Sequence, residues 1–284
     1  MEGWSVTQRM SNMSTRNAEE LRLRKASRKV REHILRMSAR GGCFVGSALS
    51  CADVLLFLYT NFLNISRETL CDDNRDYLFL SKGHAVPALY AVLAETGVLD
   101  PARLHDHLSI ADSIYWHPNA AIPGVEFHSG SLGHILPVAA GVAIDCAMRR
   151  LSNRVVVILG DGELNEGSIW EALLVAASQG LENLVIVVDR NRFQANCMTE
   201  DLVRLEPLAA KFAAFRTSVR TVDGHDFADL ARVFRGLPFE KGMPSVVIAA
   251  TVRGKGLPEL EGRVDKWFCN FSSEEAEMLA AKLV

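Results

Sequence analysis

Three short runs of almost unbroken Val, Ile and Leu restrict this chain to a small set of folds. They occupy residues 154–159, 184–188 and 245–251. Such continuous apolar runs are typical of parallel strands that are covered on both faces, because a strand with one wet face would alternate apolar and polar residues. The sequence therefore predicts a sheet that is buried between two layers.

The segments between these runs predict the covering layers. Residues 168–178 have helical apolar spacing, with a predicted buried stripe of Trp170, Leu173, Leu174 and Ala177. The resulting strand–helix–strand unit should cross over right-handedly. A further strand near residues 215–222 and a helix near residues 227–234 repeat the alternation. The predicted fold class is α/β, an open, mostly parallel sheet with helices on both faces.

The N-terminal part of the chain is helical by the same spacing. Residues 1–16 are polar and are predicted as a flexible arm, and residues 17–284 as a single domain. A helix is expected over residues 18–39, and a second over residues 50–61 with Ser50 and Asp53 as capping-box residues. Further helices are expected over residues 85–95 and 132–148.

Charge and apolar content exclude several classes of protein. The net charge of −3 lacks the basic excess of a nucleic-acid-binding domain, so the basic residues between Arg22 and Arg31 are interpreted as a solvated helix face. The uninterrupted apolar stretches fall short of the ~20 residues that a membrane span needs, and no apolar signal region is seen near the start. The six cysteines form no C-x-x-C pair, which favours reduced thiols. We expect a cytoplasmic protein with no nucleic-acid or membrane partner.

Two polar turns follow the first two predicted strands. Gly160-Asp161-Gly162 ends one strand, and Asp189-Arg190-Asn191 ends the next. Ligands of open α/β sheets bind at the carboxyl ends of the strands, so both turns should face one site. The glycines allow backbone N–H groups to approach an anion. Asp161 and Asn191 supply the oxygen atoms that Mg²⁺ prefers in proteins.

A Gly-Asp-Gly sequence by itself is usually no more than a turn. Here Asp161 and Asn191 are 30 positions apart with a whole helix between them, which is the length of one crossover unit. A nicotinamide-binding G-x-G-x-x-G motif is the competing interpretation, but Asn165 stands where its third glycine would be. A diphosphate held with Mg²⁺ is therefore the better prediction.

These motifs resemble those of the transketolase family. Residues 160–167 and 189–191 match its thiamine diphosphate motif. Further matching segments are residues 80–85, 117–118, 123–126, 129–133, 223–226 and 251–256. The resemblance covers roughly residues 20–270, and the chain resembles the separate N-terminal, diphosphate-binding subunit of a split, two-component transketolase.

The resemblance implies a thiamine diphosphate-binding fold of the diphosphate-binding (PP) type and roles for single residues. Asp161 and Asn191 would ligate Mg²⁺ through their side chains, and Phe193 through its backbone carbonyl. The implied cofactor contacts are His84, Gly130, Leu132, Gly160, Asp161, Gly162, Glu163 and Asn191. The implied catalytic residues are His84, His117 and Glu166.

Within this assignment, the two histidines would lie near the diphosphate and the donor's hydroxymethyl group. Glu166 would couple two active sites at a subunit interface. The alternatives are that His84 caps the following helix and that Glu166 is an ordinary first-turn carboxylate. His225 lies in a matching motif, but we interpret residues 223–226 as a strand-end turn and helix cap.

Four positions depart from the family pattern. Phe44 stands where a substrate-contacting histidine is usual, and Trp267-Phe268 replaces the usual Trp-His. Ile135 and Trp116 occupy positions where glycine is common. Phe44 and Phe268 put apolar bulk where imidazoles would exchange protons with sugar hydroxyls. We therefore expect a non-standard acceptor that is less hydroxylated or more apolar.

The resemblance implies a subunit that binds thiamine diphosphate and Mg²⁺ and transfers a two-carbon ketol unit from a ketose-type donor to an aldehyde-type acceptor. The chain ends at Val284, before a pyrimidine-binding domain, so we expect activity only with a C-terminal, pyrimidine-binding partner subunit in an α2β2 heterotetramer. Two alternatives stay open: another thiamine-dependent reaction, such as 2-oxo acid decarboxylation with acyl transfer, or a non-catalytic scaffold. Intact Asp161, Gly162 and Asn191 disfavour a scaffold, which needs no magnesium ligands.

Overall fold

A computed structural model describes the backbone of residues 6–283 and the side chains of residues 18–283. Within these residues, seven strands are β1 (Tyr77–Leu80), β2 (Val155–Gly160), β3 (Leu184–Arg190), β4 (Phe193–Gln194), β5 (Cys197–Met198), β6 (Ser218–Asp223) and β7 (Ser245–Ala250). The main sheet has the order β1-β2-β3-β7-β6, and every neighbouring pair in it is parallel. The short strands β4 and β5 form a separate antiparallel hairpin.

The described α-helices are α1 (Val6–Ser38), α2 (Val45–Phe57), α3 (Val86–Glu95), α4 (Ile135–Met148), α5 (Gly167–Ser178), α6 (Thr199–Leu202), α7 (Leu208–Ala214), α8 (Phe227–Phe234) and α9 (Ser273–Ala281). Alternate residues of the central strands point to opposite layers. On β2, Val156 and Ile158 belong to the core formed with α1, α2, α3, α8 and α9. Val155 and Val157 belong to the core formed with α4, α5 and α7. The predicted parallel sheet with helices on both faces is confirmed.

Strand β1 was not predicted from the sequence, and its length explains why. It has four residues, Tyr77–Leu80, which is too short a run to separate from a loop by periodicity. In the fold it pairs with β2 and forms one edge of the sheet. It matters because its carboxyl end carries residues 81–84 into the site.

The predicted start of the N-terminal helix is wrong. Helix α1 begins at Val6, so residues 6–16, predicted as part of a flexible arm, are helical. The sequence has no proline or glycine between Gly3 and Gly41 that would break a helix there. Residues 1–5 of the predicted arm lie outside the described residues.

The predicted capping box at the second helix is also wrong. Helix α2 begins at Val45, and all its residues are buried. Ser50 donates to the Ser47 carbonyl at 3.0 Å, and Asp53 pairs with Arg31. A helix that is apolar on all sides has no amphipathic edge to mark its start, and its few polar side chains pair inside the protein instead.

Two smaller expectations about the helices also change. Helix α4 begins at Ile135, three residues later than predicted. In α5 the buried positions are Ile169, Ala172, Leu173 and Ala176. Leu174, predicted in the buried stripe, is 60% exposed.

The run Val45–Phe62 combines α2 with a π-helical turn over Leu58–Phe62. It has the length and composition of a membrane-spanning helix, with a mean hydropathy of 1.4 over its 18 residues. In the fold 83% of this run is buried inside the protein, as in a core helix. Counting only uninterrupted apolar residues missed this window, because Ser47, Ser50 and Asp53 interrupt it.

Candidate functional site

The two polar turns meet at the carboxyl edge of the sheet. In the register of the strands, Gly160 pairs with Asp189, and Asp189 pairs with Ala249 of β7. A cleft of about 220 Å³ opens at this edge. It is lined by Ser47, Lys82, His84, Leu132, Gly160, Asp161, Gly162, Glu163, Asn191, Phe193, Gln194, Ala195, Arg253 and Trp267. The structure thus brings together the predicted residues of three separate motifs.

A buried ion pair closes the inner end of the cleft. Lys82 and Asp189 are each 1% exposed, and the Lys82 ammonium donates to Asp189 Oδ2. Asp189 also accepts hydrogen bonds from the hydroxyls of Ser50 and Thr251, and Lys82 Nζ donates to the Ser47 carbonyl at 3.2 Å. Burial opposes both charges, but their mutual attraction outweighs it. The pKa of Asp189 therefore lies below its ordinary value, and the pKa of Lys82 above.

Asp161 follows β2 and is 1% exposed. Its Oδ1 accepts from the backbone N–H of Gly162 at 2.8 Å. Its Oδ2 accepts from the N–H of Arg192 at 2.5 Å and from Arg190 Nη1 at 3.1 Å. Burial and then the charge of Asp189 raise the pKa of Asp161 to about 6, against the opposing effect of those donors. A bound cation would favour the ionised carboxylate.

Asn191 is oriented by its amide nitrogen. Nδ2 donates to Ser50 Oγ at 3.0 Å and to Asp189 Oδ2 at 3.1 Å. The amide oxygen Oδ1 faces the other way and accepts from the Phe193 N–H at 3.0 Å. The side chain is therefore fixed with its oxygen on the side of the β4 hairpin.

Three groups at this end fit a magnesium ion. They are the Asp161 carboxylate, the Asn191 amide oxygen and the Phe193 carbonyl, and all three residues line the cleft. Within residues 18–283, no group of three or more His, Cys, Asp or Glu side chains is placed to hold a metal ion. A set with one carboxylate suits Mg²⁺, which usually takes its remaining oxygens from phosphate and water.

Glycine is required at two positions around the cleft. A Cβ on Gly162 would lie 2.8 Å from the Gln194 side chain, so the β4 hairpin could not approach the turn. Gly130 has φ of +139°, and a Cβ there would lie 2.5 Å from Cδ2 of His117. At Gly160 a Cβ would make only ordinary contact, 3.6 Å from the Lys82 side chain. The two crowded glycines thus bring backbone and side chains close to the space a ligand would occupy.

Arg253 places an incompletely paired cation in the same cleft. It is 2% exposed, and Nη1 donates to the Ala195 carbonyl at 2.6 Å. Its Nε and Nη2 are buried without a hydrogen-bond partner among the described residues. Burial lowers the pKa of Arg253, but a guanidinium remains charged in proteins. Unused donors on a buried cation fit an anionic ligand such as a diphosphate.

Glu163 organises the cleft through its carboxylate. Oε1 accepts from the Ser81 hydroxyl and from the Gly133 N–H at 2.8 Å, and Oε2 accepts from the Gly160 N–H at 3.0 Å. Burial raises its pKa, while these donors oppose the rise. Glu163 lines the cleft as predicted, but its oxygens are used to join three segments of the protein around it.

Of the two predicted catalytic histidines, His84 lines the outer end of the cleft, whereas His117 and the predicted cofactor contact Gly130 lie next to each other outside the lining. His84 stands in a 3₁₀ turn after β1, with Nε2 3.0 Å from Ser47 Oγ. Burial, reinforced by the charge of Lys82, lowers the pKa of His84 to about 3. Burial also lowers the pKa of His117. Both rings are therefore neutral near pH 7, and a neutral imidazole can donate one hydrogen bond and accept another.

The ring of Phe44, which departs from the family pattern, lies near both of these histidines. Its ring centre is 5.5 Å from that of His84 and 6.5 Å from that of His117. It is also 4.9 Å from Trp267 and 5.3 Å from Phe268. Two of the departures seen in the sequence, Phe44 and Phe268, thus form one contact in space.

Glu166 and His225 stand apart from the cleft lining. Glu166 is exposed immediately before α5, so its role at a subunit interface stays a prediction. His225 Nδ1 lies 2.8 Å from Asp53 Oδ2, and Asp226 caps α8 by accepting from the Ala228 N–H at 2.8 Å. This confirms our interpretation of residues 223–226 as a turn and helix cap.

Sequence reasoning missed three charged residues of the site. Lys82 and Arg253 lie in matching motifs but had no assigned role, and Asp189 was interpreted only as a strand end. Burial of a lysine or arginine is rare without a partner, and no local pattern indicates it. The only available signal was their position beside glycines in the matching motifs.

Comparison with known proteins agrees with this geometry. A family model described as transketolase, thiamine diphosphate binding domain, matches residues 34–283. An apulose-4-phosphate transketolase subunit of Phocaeicola vulgatus is 36% identical over 224 residues, which are 78% of this chain and 79% of that protein. The 6-deoxy-6-sulfo-D-fructose transketolase subunit SqwG of a Clostridium species is 34% identical over 248 residues, 84% of this chain and 87% of that protein.

The fold is also similar to that of solved structures. The transketolase from Leishmania mexicana superposes with a TM-score of 0.83 at 24% identity. The match covers 92% of this chain and 41% of that one, so the chain spans about two fifths of the solved transketolase. At this identity the likeness shows a shared fold.

Proposed function

Because this chain belongs to the transketolase family, we propose that it binds thiamine diphosphate through Mg²⁺ and transfers a two-carbon ketol unit from a ketose-type donor to an aldehyde-type acceptor. It is a transketolase-like transferase subunit, as its relatives are. The observation that supports the proposal most strongly is the convergence of Asp161, Asn191 and the incompletely paired Arg253 on one cleft.

The residues of the cleft divide the binding between cation and anion. Asp161 and Asn191 side chains and the Phe193 carbonyl would hold Mg²⁺. The Gly162 backbone and the free donors of Arg253 would hold the diphosphate. The cation and the Arg253 guanidinium would compensate the negative charge of the diphosphate, which would be costly to bury uncompensated.

The chemistry at the outer end depends on neutral groups. When bound, thiamine diphosphate supplies a nucleophilic carbon that adds to the donor carbonyl and stabilises the negative charge formed there. His84 and His117 would orient the donor's hydroxymethyl group and exchange protons with its hydroxyls. Their lowered pKa values keep the rings neutral, so each ring can donate one hydrogen bond and accept another.

A partner chain forms part of the proposal. The two relatives above are both named as subunits, which supports a second chain. We propose that this second chain binds the pyrimidine and that the assembly is an α2β2 heterotetramer. Exposed Glu166 at the start of α5 is available for such an interface. We also propose a cytoplasmic location, because a reducing compartment suits the six free cysteines.

The proposal is tested by reconstitution. This chain is purified with its co-purifying partner, supplied with thiamine diphosphate, Mg²⁺, a ketose donor and an aldehyde acceptor, and the products are identified by mass. We expect a product two carbons longer than the acceptor from the complex, and none from this chain alone or from the Asp161→Ala complex. Decarboxylation of 2-oxo acids without ketol transfer would replace the proposal with the acyl-transfer alternative. Ketol transfer at full rate without thiamine diphosphate would refute the proposed function.

A further inference from the structure

Four aromatic side chains form a continuous wall beside the outer end of the cleft, and one of them, Trp267, lines it. This aromatic wall consists of Phe44, Trp116, Trp267 and Phe268. Phe44 contacts Trp267 and Phe268 with ring centres 4.9 Å and 5.3 Å apart, and Trp116 lies 6.2 Å from Phe268. These are the separations of aromatic pairs in stable contact.

The backbone holds the wall in place. Cys43 and Cys269 form an isolated antiparallel bridge, in which each N–H donates to the other carbonyl at 2.9 Å. The bridge sets Phe44 and Phe268 beside each other although they are far apart in sequence. Gly42, with φ of +89°, leaves room for the Phe268 ring, because a Cβ there would lie 2.4 Å from its Cζ. The Gly42 carbonyl accepts from Trp116 Nε1 at 3.0 Å.

The wall stands directly beside the predicted catalytic groups. Trp267 and His84 both line the cleft, with ring centres 6.2 Å apart. The rings of Phe44 and His84 are in contact, with centres 5.5 Å apart. Phe268 is 40% exposed, so the wall extends from the cleft to the protein surface. A continuous row of rings therefore joins the surface to the imidazole of His84.

Resting on the proposed function, we propose that the aromatic wall selects acceptor aldehydes whose carbons next to the carbonyl carry hydrogen or alkyl groups in place of hydroxyls. A hydroxyl against these rings loses its hydrogen bonds to water and gains none. An alkyl chain in the same place buries apolar surface on both sides.

The transfer itself is redox-neutral. The bond between C2 and C3 of the donor breaks, and C2 forms a new bond to the carbonyl carbon of the acceptor. The donor's C3 hydroxyl gives up its proton as C3 becomes an aldehyde, and the acceptor's carbonyl oxygen gains one. The wall acts only on which acceptor is held for this exchange.

Two aldehydes of equal length test the proposal: propanal and glyceraldehyde, which differ by two hydroxyls. With a fixed ketose donor, we expect kcat/KM of the reconstituted complex to favour propanal by about tenfold or more, within the ~100-fold that apolar pockets achieve against an added hydroxyl. Phe268→His, at a side chain that is 40% exposed, should lower this ratio by about threefold or more. Phe44→His should lower it further. Phe268→Leu is the matched control and should keep the ratio within about twofold, because the side chain stays apolar.

Opposite outcomes would overturn the proposal. Equal or better use of glyceraldehyde by the unmodified complex would do so, and so would a ratio that neither histidine variant moves. Absence of ketol transfer to every acceptor would instead refute the proposed function. In that case, tryptophan fluorescence of the complex titrated with propan-1-ol and glycerol still tests the wall. We expect the half-maximal fluorescence change at a propan-1-ol concentration about tenfold lower than that of glycerol. The fluorescence change should be smaller in Trp267→Phe. Equal responses to both alcohols would contradict the proposed role of the wall.

Discussion

At the inner end of the cleft, charged side chains from three strand ends are held by dense hydrogen bonds, whereas at the outer end aromatic rings are held by packing. Lys82 and Asp189 are each 1% exposed, and together they make four hydrogen bonds to other residues, one from Lys82 and three to Asp189. Phe268 of the outer wall is 40% exposed and contacts other rings. Removing one member of a buried polar network leaves its partner unpaired, while trimming the ring of Phe44 or Phe268 leaves no polar group without a partner.

This difference separates two properties of the site. In the proposed function, the inner end would fix charge and position for a diphosphate and its cation, and we expect it not to tolerate substitution. The outer end would set which substrate fits, and its variants should change selectivity before they change stability. Four variants test this separation, three of them at the inner end and one where the two ends meet.

Lys82→Met should have the largest effect. It leaves Asp189 buried without its ion partner, which costs about 3–5 kcal/mol of unfolding free energy in comparable pairs. Urea unfolding of the chain measures the loss. Lys266→Met, at a side chain that is 38% exposed, is the control and should change little. The double variant Lys82→Met with Asp189→Leu should recover part of the loss, and a single-variant loss within that of the control would show that the pair is not structural.

Asp161→Ala should abolish most Mg²⁺-dependent cofactor binding. The diphosphate would lose the carboxylate that anchors its cation, and we expect affinity to fall by about 100-fold, or about 2.7 kcal/mol. Calorimetric titration of the assembled complex, with and without Mg²⁺, gives the affinity. Asp265→Ala, an exposed carboxylate paired with Arg263, serves as the control. Unchanged affinity in Asp161→Ala would contradict the metal assignment.

Arg253→Met should weaken cofactor binding while sparing the fold. We expect about tenfold lower affinity, or about 1.4 kcal/mol, because two guanidinium donors lose their anionic partner. The cofactor-free chain should not become less stable, since the variant also removes a buried cation with unpaired Nε and Nη2. The cofactor affinity of Arg253→Lys should lie between that of the unmodified chain and that of Arg253→Met. Loss of stability without loss of affinity would assign Arg253 a structural role.

At pH 7.5, His84→Gln should have the smallest effect of the four variants, and the effect should change with pH. In the folded chain the pKa of His84 is lowered to about 3, whereas an unfolded histidine titrates near 6.5. The unfolded state therefore binds more protons between these values, so this contribution is complete above pH 6.5 and is lost as the pH falls toward 3, by about 1 kcal/mol per pH unit. The free energy of unfolding of the cofactor-free chain, measured from pH 7.5 to 4.5, should fall less steeply in His84→Gln than in the unmodified chain. Parallel profiles would mean that His84 is not held neutral.

Local pattern was enough for the framework of this protein. The almost unbroken apolar runs located strands β2, β3 and β7 within two residues at each end. The spacing of Asp161 and Asn191 predicted that both turns face one edge, because a single crossover must return the second strand parallel to the first. The resemblance then supplied roles for the histidines and for Phe193. The apolar pattern did not locate the start of α2, because that helix is buried on all sides. It did not reveal β1, because four residues are too few to show a period.

The order of residues along the chain is enough to predict the parallel sheet and the polar turns at its carboxyl edge, and the family resemblance identifies two phenylalanines at positions where histidine is usual. The contacts between distant charges and rings are visible only in the folded chain. Lys82 and Asp189 are 107 positions apart, and the bridge between Cys43 and Cys269 is what joins Phe44 to Phe268. Periodicity reports which face of an element is buried, but a contact across the fold depends on how whole elements pack. Ionisation follows from the same packing, since desolvation and neighbouring charge set the pKa values of Asp161 and His84.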